Sequence, residues 1–485
     1  MKKTISISAL IAVCTMCLSL GAYAQYPEDV LRLSTPGFGI GARSIGMGMA
    51  YTGVANDFSA SYYNPAGLAQ LRMNEVSLGL SNVSYGNSSS FFGSGESFTN
   101  SGTNINSLGL VYAGPTMKGS FVLALGYGRQ SDFTTGLSFS GFNPTSSVIQ
   151  APIIFGGFGA PDRGVVAGDA RDNPAYQLWL ANVDTIANRW ESPIRDSLTQ
   201  SAKALEGGGL NHVSVSAAVE AARNLYLGAT VNIITGSYSY QQNYSETDKR
   251  NLYATPPFDF YSLSLGQTVE SDLSGFTANL GLLYKFGENS RVGISVKTPS
   301  WISIQETQSQ TASSDFDNLD HLDYVIEAGM PVEYDVTTPF VFSAGLSYGI
   351  HNLMLTGDID YTDWTQMEFR NADPDVMKLN TTIKDEFQPT LDVHVGAEIE
   401  PITGVLQLRG GFAYMRSPYQ GDPSNYDKKY ITAGAGYLVA DAIAIDLAFV
   451  HGFWKNYRVN YNDPVTRVDE DIKTNNLIGT VSYRF

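Results

Sequence analysis

The sequence has only two cysteines, Cys14 and Cys17, and both lie within the first apolar run, Ile5–Leu20. A positively charged start, this apolar run and a small-residue site ending at Ala24 are typical of a secretory signal peptide. We therefore predict that residues 1–24 are removed on export. A mature chain without thiols excludes disulfide bonds, zinc–thiolate sites and cysteine nucleophiles.

Positive charge, histidine and long apolar runs are also scarce. The chain has 30 Lys and Arg against 47 Asp and Glu, and its net charge of -17 argues against nucleic acid as a partner. No stretch after residue 24 approaches about 18 uncharged apolar residues, which excludes a helical membrane span. No histidine stands at metal-ligand spacing from another, so we predict no metal, no cofactor and no catalytic activity. The five histidines are His212, His321, His351, His394 and His451.

From Asn74 onward, the dominant pattern is alternation with a period of two residues. Large apolar residues alternate with small or charged ones, which is typical of strands with one apolar face. Such strands fit either a soluble sandwich or a membrane barrel, in which the apolar face is turned to lipid. The clearest apolar sets are Ile443, Ile445, Leu447 and Phe449, and Leu391, Val393, Val395 and Ile399.

The lengths of the connections favour the barrel, because short and long connections alternate as they do in outer-membrane barrels. Six short turns and seven long loops predict fourteen strands, provided that Tyr261–Phe286 is one strand with a bulge near Ser271–Gly275. The long loops include Tyr85–Asn106 and Asn143–Gly209. The last strand ends at Phe485 and looks like the signal that the outer-membrane assembly machinery binds. We predict an all-β fold, a 14-stranded antiparallel transmembrane β-barrel.

The segment 25–72 precedes the first alternating run and is rich in Gly and Ala, especially in Gly41–Leu68. Small residues allow close packing in a confined space, although a surface loop has the same composition. Its Gly-x-Gly-x-Ala run, acidic turn and Asn-Pro-Ala resemble the N-terminal plug of the FadL family of outer-membrane transporters for hydrophobic compounds. The resemblance implies a plug formed by 25–72 inside a barrel formed by 73–485. Its implied plug residues are Gly41, Arg43, Gly46, Gly48, Asn56, Asp57, Asn64, Pro65 and Ala66.

The residue pattern of the loop 143–209 predicts two helices in its second half. Ala175–Trp190 has apolar residues near one helical face, and a Ser-Pro start then begins a second helix that contains Ile194 and Leu198. These helices could pack on each other and on the barrel rim. The resemblance implies instead that they wall a groove that captures ligand, with Trp190, Ile194 and Leu198 as candidate contacts.

Three tryptophans predict an apolar collar in the lumen. Trp301, Trp364 and Trp454 each lie about eleven or twelve residues from the preceding short turn, and unbroken alternation places all three on the lumen side. Such a collar would suit an amphipathic ligand. In the alternative, the indoles belong to the aromatic girdle at the membrane surface, and a bulge near Pro299 would reverse the orientation of Trp301.

The resemblance also implies a route: capture at the loops, passage to a site beside the plug, and lateral release where strand three is kinked. Gly126 and Gly128 are candidate positions for that opening. We predict a monomeric channel of the Gram-negative outer membrane, in contact with its lipid, for long-chain fatty acids or aromatic hydrocarbons. The alternatives are a non-transporting barrel that docks a protein secretion system and a general diffusion pore.

Overall fold

The computed structural model describes residues 15–16, 26–150, 174–184, 186, 189–255, 259–287, 289–318, 320–326, 331–440, 442–461 and 463–485. Fourteen antiparallel strands form one closed barrel, because the first strand pairs with both the second and the last. The predicted fold class is thereby confirmed. The strands are β1 Glu75–Phe91, β2 Ser94–Gly114, β3 Phe121–Asp132 with Thr135–Asn143, β4 Leu198–Ala222, β5 Leu225–Thr247, β6 Phe260–Phe286, β7 Ser290–Lys297 with Trp301–Phe316, β8 Val332–Thr337 with Val341–Ile350, β9 Leu353–Asp363, β10 Pro389–Ile402, β11 Leu406–Met415, β12 Lys428–Val439, β13 Ile443–Asn460 and β14 Arg467–Arg484.

Side chains along each strand alternate between the outer surface and the lumen. In β13, Ile443, Ile445, Leu447 and Phe449 are 37% to 53% exposed on the outer surface, whereas Asp446 is buried toward the lumen. The predicted outward residues of β10 are exposed in the same way: Leu391, Val393, Val395 and Ile399. A continuous apolar outer face around a polar interior is the pattern that a lipid environment stabilises.

The two ends of the barrel differ. One end has short turns and also brings Asn74 and Phe485 together through reciprocal backbone hydrogen bonds of 3.0 Å. The other end has the longer connections, except that β1 and β2 are joined there by the two-residue turn Phe92-Gly93. The prediction of a long loop at Tyr85–Asn106 is therefore wrong, because these polar residues continue the two strands. The single long strand β6 is confirmed, and its register with β5 shows no bulge at Ser271–Gly275.

The N-terminal segment fills the lumen as a plug. α1 (Pro27–Ser34) contacts the loop helix α5 (Pro374–Glu386) at the long-loop end. The chain then passes through α2 (Ala42–Gly46), which packs on β12 and β13, and α3 (Ala60–Tyr63). A 3-10 helix, Pro65–Gln70, packs on β4, β5 and β6 before the chain enters β1. The plug therefore contacts strands on opposite sides of the barrel.

The long-loop end carries its own apolar core, which includes Phe91, Phe139, Ile149, Leu178 and Leu198. The two predicted helices of the 143–209 loop are wrong. Among the residues of this loop that the structure describes, the only α-helix is the four-residue α4 (Pro174–Gln177). β4 begins at Leu198, because alternate residues are buried and the strand is hydrogen-bonded on both edges from Thr199 onward. No helix in the described ranges is long and apolar enough to cross a membrane. The remaining elements are Thr15–Met16, Val148–Gln150, α4 Pro174–Gln177, Asn182–Asp184, Arg189–Glu191, His321–Ile326, Trp364–Gln366, Glu368–Arg370, α5 Pro374–Glu386 and Pro464–Thr466.

The ladder between β2 and β3 is incomplete. It runs only as far as the pair Ser107 and Gly128, whereas β3 stays paired with β4 beyond this point. The outer half of β3, Thr135–Asn143, pairs with β4 and crosses the inner face of β1, where Asn87 and Ser89 donate to its backbone carbonyls. A gap in backbone pairing therefore begins just beyond Gly128.

Candidate functional site

The plug rests on glycines of the barrel wall. A Cβ at Gly293 would overlap the carbonyl oxygen of Thr52, and a Cβ at Gly345 would overlap the backbone of Gly53. Because only hydrogen fits at these positions, the backbones of plug and wall pack directly against each other. Wall glycines that contact the plug are Gly109, Gly126, Gly128, Gly228, Gly281, Gly293, Gly345, Gly396, Gly411 and Gly434.

The three predicted plug glycines lie within this packing. Gly41 and Gly48 have φ of +87° and +68°, a backbone conformation that disfavours other residues. A Cβ at Gly48 would be 2.5 Å from the carbonyl oxygen of Val395. Gly46 faces Gly434, with 3.3 Å between its would-be Cβ and the Cα of Gly434. The small-residue run is thus the part of the plug that approaches β10 to β12 most closely.

The Asn-Pro-Ala motif links two parts of the plug to the wall. The Asn64 amide donates to the carbonyls of Thr52 (2.9 Å) and Leu282 (3.1 Å) and accepts from the Ala66 N–H at 3.2 Å. Pro65 begins the 3-10 helix, where a missing N–H is tolerated. Asn64 thereby fixes the end of the plug against β6.

Arg43 anchors the plug electrostatically. Its guanidinium forms a bidentate pair with Glu398 of β10, at 2.8 and 2.7 Å, and donates to Asn56 Oδ1 at 2.7 Å. Glu398 also accepts from Arg409 at 2.6 Å, and Arg409 pairs with Asp446 at 2.5 Å. Removing one member of such a buried network leaves an uncompensated charge, which is costly. The predicted acidic turn acts differently, because Asp57 accepts hydrogen bonds from Tyr51 and Ser59 within the plug.

A cavity of about 520 Å³ lies in the lumen beside the plug. The plug contributes Phe38 and Ile45, and the barrel wall contributes Tyr85, Tyr430 and Trp454. Aromatic rings of this kind supply a large apolar surface, and the volume suits a small organic molecule. The cavity is therefore the strongest candidate for a ligand site.

Two arginines at the cavity, Arg32 and Arg458, are paired with acidic residues of the barrel wall. Arg32 of α1 lies over the Tyr238 ring at 4.0 Å and within 3.5 Å of Glu206. Arg458 lies 3.7 Å from Glu206 and 3.0 Å from Glu470. These pairs cross the lumen from β5 to β14, so a ligand in the cavity meets both apolar rings and compensated charges.

Two of the three collar tryptophans line the cavity, namely Trp364 and Trp454. Trp301 is 38% exposed on the outer surface and stacks on Phe276, with ring centroids 4.9 Å apart. The predicted lumen position of Trp301 is therefore wrong. The cause is the break in β7 around Pro299, which reverses the alternation between the two halves of the strand.

The other predicted contacts lie away from the cavity. Ile194 and Leu198 are fully buried in the apolar core of the long-loop end, and the side chain of Trp190 lies outside the described residues. Gly126 receives the Phe58 ring of the plug and pairs with Gly109 of β2, so it lies in intact wall. Gly128 contacts Ile40 and forms the last pair before the gap.

Sequence reasoning missed the polar residues that follow Gly128. Arg129, Gln130, Ser131 and Asp132 interrupt the apolar alternation of β3, which is a signal that the strand leaves the membrane wall. Two of them bind the plug: the Gln130 carbonyl accepts from the Gly37 N–H, and Ser131 donates to the Thr35 carbonyl.

A closed fourteen-stranded barrel with an apolar outer face and a plugged lumen defines an outer-membrane β-barrel protein. The described residues contain no cluster suited to a metal ion. A family model described as "Outer membrane protein transport protein (OMPP1/FadL/TodX)" matches residues 206–485, more than half of the chain. The chain belongs to this family, a family of transport proteins. Family and fold together indicate the outer membrane of a Gram-negative cell.

Individual relatives are distant. Outer membrane protein P1 of Haemophilus influenzae is 24% identical over 293 residues, which cover 56% of this chain and 61%, less than two thirds, of that protein. The P. putida toluene transporter TodX has a similar structure, with a TM-score of 0.54 and 15% identity over 92% of this chain and 99% of that one. A Pseudomonas aeruginosa FadL homologue has a TM-score of 0.54 and 14% identity, with 92% and 98% covered. At these identities, the structural matches support the fold alone.

Proposed function

We propose that the protein is a passive channel for hydrophobic or amphipathic small molecules, such as long-chain fatty acids or aromatic hydrocarbons. The aromatic-lined cavity beside the plug is the observation that carries this proposal. Transfer of apolar surface from water to the cavity and then to lipid is favourable, so no nucleotide or ion gradient is needed. The family match supports a transport role, since the family model is described as an outer-membrane transport protein.

The proposed route enters from the long-loop end, passes the cavity and leaves sideways, not through the plug. Direct passage would require displacement of the Arg43–Glu398 pair and of the backbone packed on the wall glycines. A lateral exit requires only movement at the gap between β2 and β3. We propose that the ligand leaves the barrel through this gap, just beyond Gly128. Docking of a secretion system has less support. A plugged lumen without an adjoining cavity would favour docking, whereas this lumen has a cavity beside the plug.

Filling the cavity should block uptake. Val83 lines the cavity on the lumen side of β1, whereas Leu80 on the same strand is 52% exposed on the outer surface. We expect Val83→Trp to lower uptake of radiolabelled oleate or toluene at least about tenfold in cells that lack other such channels, because the indole occupies the apolar volume. Leu80→Trp adds the same side chain toward lipid and should leave uptake unchanged. Equal uptake by the two variants would contradict the proposed ligand path.

A further inference from the structure

A second cavity, of about 400 Å³, lies where β3 leaves the wall. Asn211 of β4 and Ser237 of β5 line it from outward-facing positions of their strands. Arg129 and Thr134 of β3 line both this cavity and the lumen cavity. These two side chains therefore lie between the interior of the barrel and its outer surface.

Side chains bridge the wall where backbone pairing stops. Arg129 donates to Asp132 at 2.9 Å and to the Gly208 carbonyl of β4 at 2.6 Å. Asn104 of β2 donates to the same Asp132 oxygen at 2.8 Å. The three strands β2, β3 and β4 are thus joined at this level by Asn104, Asp132 and Arg129. Charge-assisted hydrogen bonds of this kind are strong and directional.

The bridge lies at the edge of the apolar outer surface. Leu125 of β3, Val213 of β4 and Ile233 of β5 are outward-facing, exposed and only a few residues closer to the short-turn end. A molecule that passed between β2 and β3 at this level would therefore reach the lipid-facing surface directly.

We propose that Asn104, Asp132 and Arg129 form a latch that closes a window in the barrel wall between the lumen cavity and the lipid. This inference rests on the proposed function. Opening the latch needs rotation of three side chains, whereas opening a paired ladder would break a series of backbone hydrogen bonds. The latch residues gate release from the lumen cavity, which Arg129 and Asp132 also line.

A reversible cross-link tests the latch directly, because the sequence has no cysteine after Cys17. In Asn104→Cys/Asp132→Cys, a short bis-methanethiosulfonate cross-linker forms a disulfide with each cysteine and releases methanesulfinate. The cross-link should lower oleate or toluene uptake at least about tenfold, and a reductant should restore it. The control, Leu110→Cys/Leu125→Cys, joins the same two strands at a pair where the ladder is already intact. Its uptake should not change on cross-linking.

Removal of the latch should have the opposite effect. Arg129→Ala should raise the uptake rate several-fold, and Arg370→Ala, which removes an exposed guanidinium paired with exposed Glu368, should not. Equal uptake by the two cross-linked proteins would overturn the latch, even where Val83→Trp still blocks uptake and so supports the channel. If wild-type protein transported neither compound, the proposed function would fail, and the latch with it.

Discussion

At the residue scale, the wall glycines explain how the plug packs tightly inside the barrel, because they let the plug backbone approach the backbone of the wall. Gly293 faces the plug, whereas a Cβ at Gly357 would meet its nearest neighbour, the carbonyl oxygen of His394, at an ordinary 3.7 Å. Both positions lie in barrel strands, so strand propensity does not distinguish them. The difference between the two glycines is contact with the plug.

Gly293→Ala should therefore loosen the plug, and Gly357→Ala should not. The added methyl group at Gly293 overlaps the Thr52 carbonyl, and overpacking of this kind costs about 1–3 kcal/mol. We expect the plug of Gly293→Ala to become sensitive to protease at a lower urea concentration than in the wild type. The barrel itself should keep its heat-dependent migration in gels. Identical protease profiles for the two variants would show that Gly293 and the Thr52 carbonyl are not in close contact in solution.

At the element scale, the docking of α1 depends on the ionisation of one of its side chains. Glu28 lies in its first turn, and burial raises the pKa of this carboxyl group to about 8, with smaller increases from Asp29 and Glu386. The folded pKa is above that of the unfolded chain, near 4.5. The contribution of Glu28 to the stability of docked α1 is therefore complete below about pH 4.5 and is lost as the pH rises through about 8.

Hydrogen exchange of the Pro27–Ser34 backbone should reveal this dependence. After correction for intrinsic rates, exchange should be faster at about pH 9.5 than at about pH 6.5, because the ionised carboxylate is poorly solvated beside two other acids. Glu28→Gln should abolish the difference, and Glu333→Gln, at an exposed position of β8, should preserve it. A pH dependence that persisted in Glu28→Gln would assign the effect to another group.

At the scale of the whole molecule, the plug decides whether the barrel is a selective channel or an open pore. A barrel of this size has an interior wider than its own side chains fill. Deletion of residues 25–71 should therefore raise the leakage of small hydrophilic solutes from proteoliposomes at least about tenfold. Intact protein at the same density, with barrel folding checked by gel migration, is the control. Equal leakage would show that the plug does not seal the lumen.

The sequence by itself determined the barrel, whereas the plug was implied by the resemblance to the FadL family. Alternation of the kind seen at Ile443–Phe449 needs a boundary between lipid and a polar interior, and this pattern is local, so it can be counted along the chain. The composition of the small-residue run Gly41–Leu68 fitted close packing and a surface loop equally, and the resemblance favoured close packing. Strand number followed from the lengths of the connections, even though the individual boundaries at Tyr85–Asn106 and Leu198 were wrong.

Only the tertiary structure decided which residues meet. The orientation of Trp301 depends on a break at Pro299, since one irregular residue reverses every later position in a strand. Leu198 fits a helical stripe as well as a strand, and its pairing with Asn143, in a segment that pairs with β5 from Thr199 onward, made it part of a strand. The gap beyond Gly128 exists because Asn87 and Ser89, far away in sequence, hold the outer half of β3 inside the barrel. Contacts between distant strands cannot be read from local periodicity, and the candidate exit depends on them.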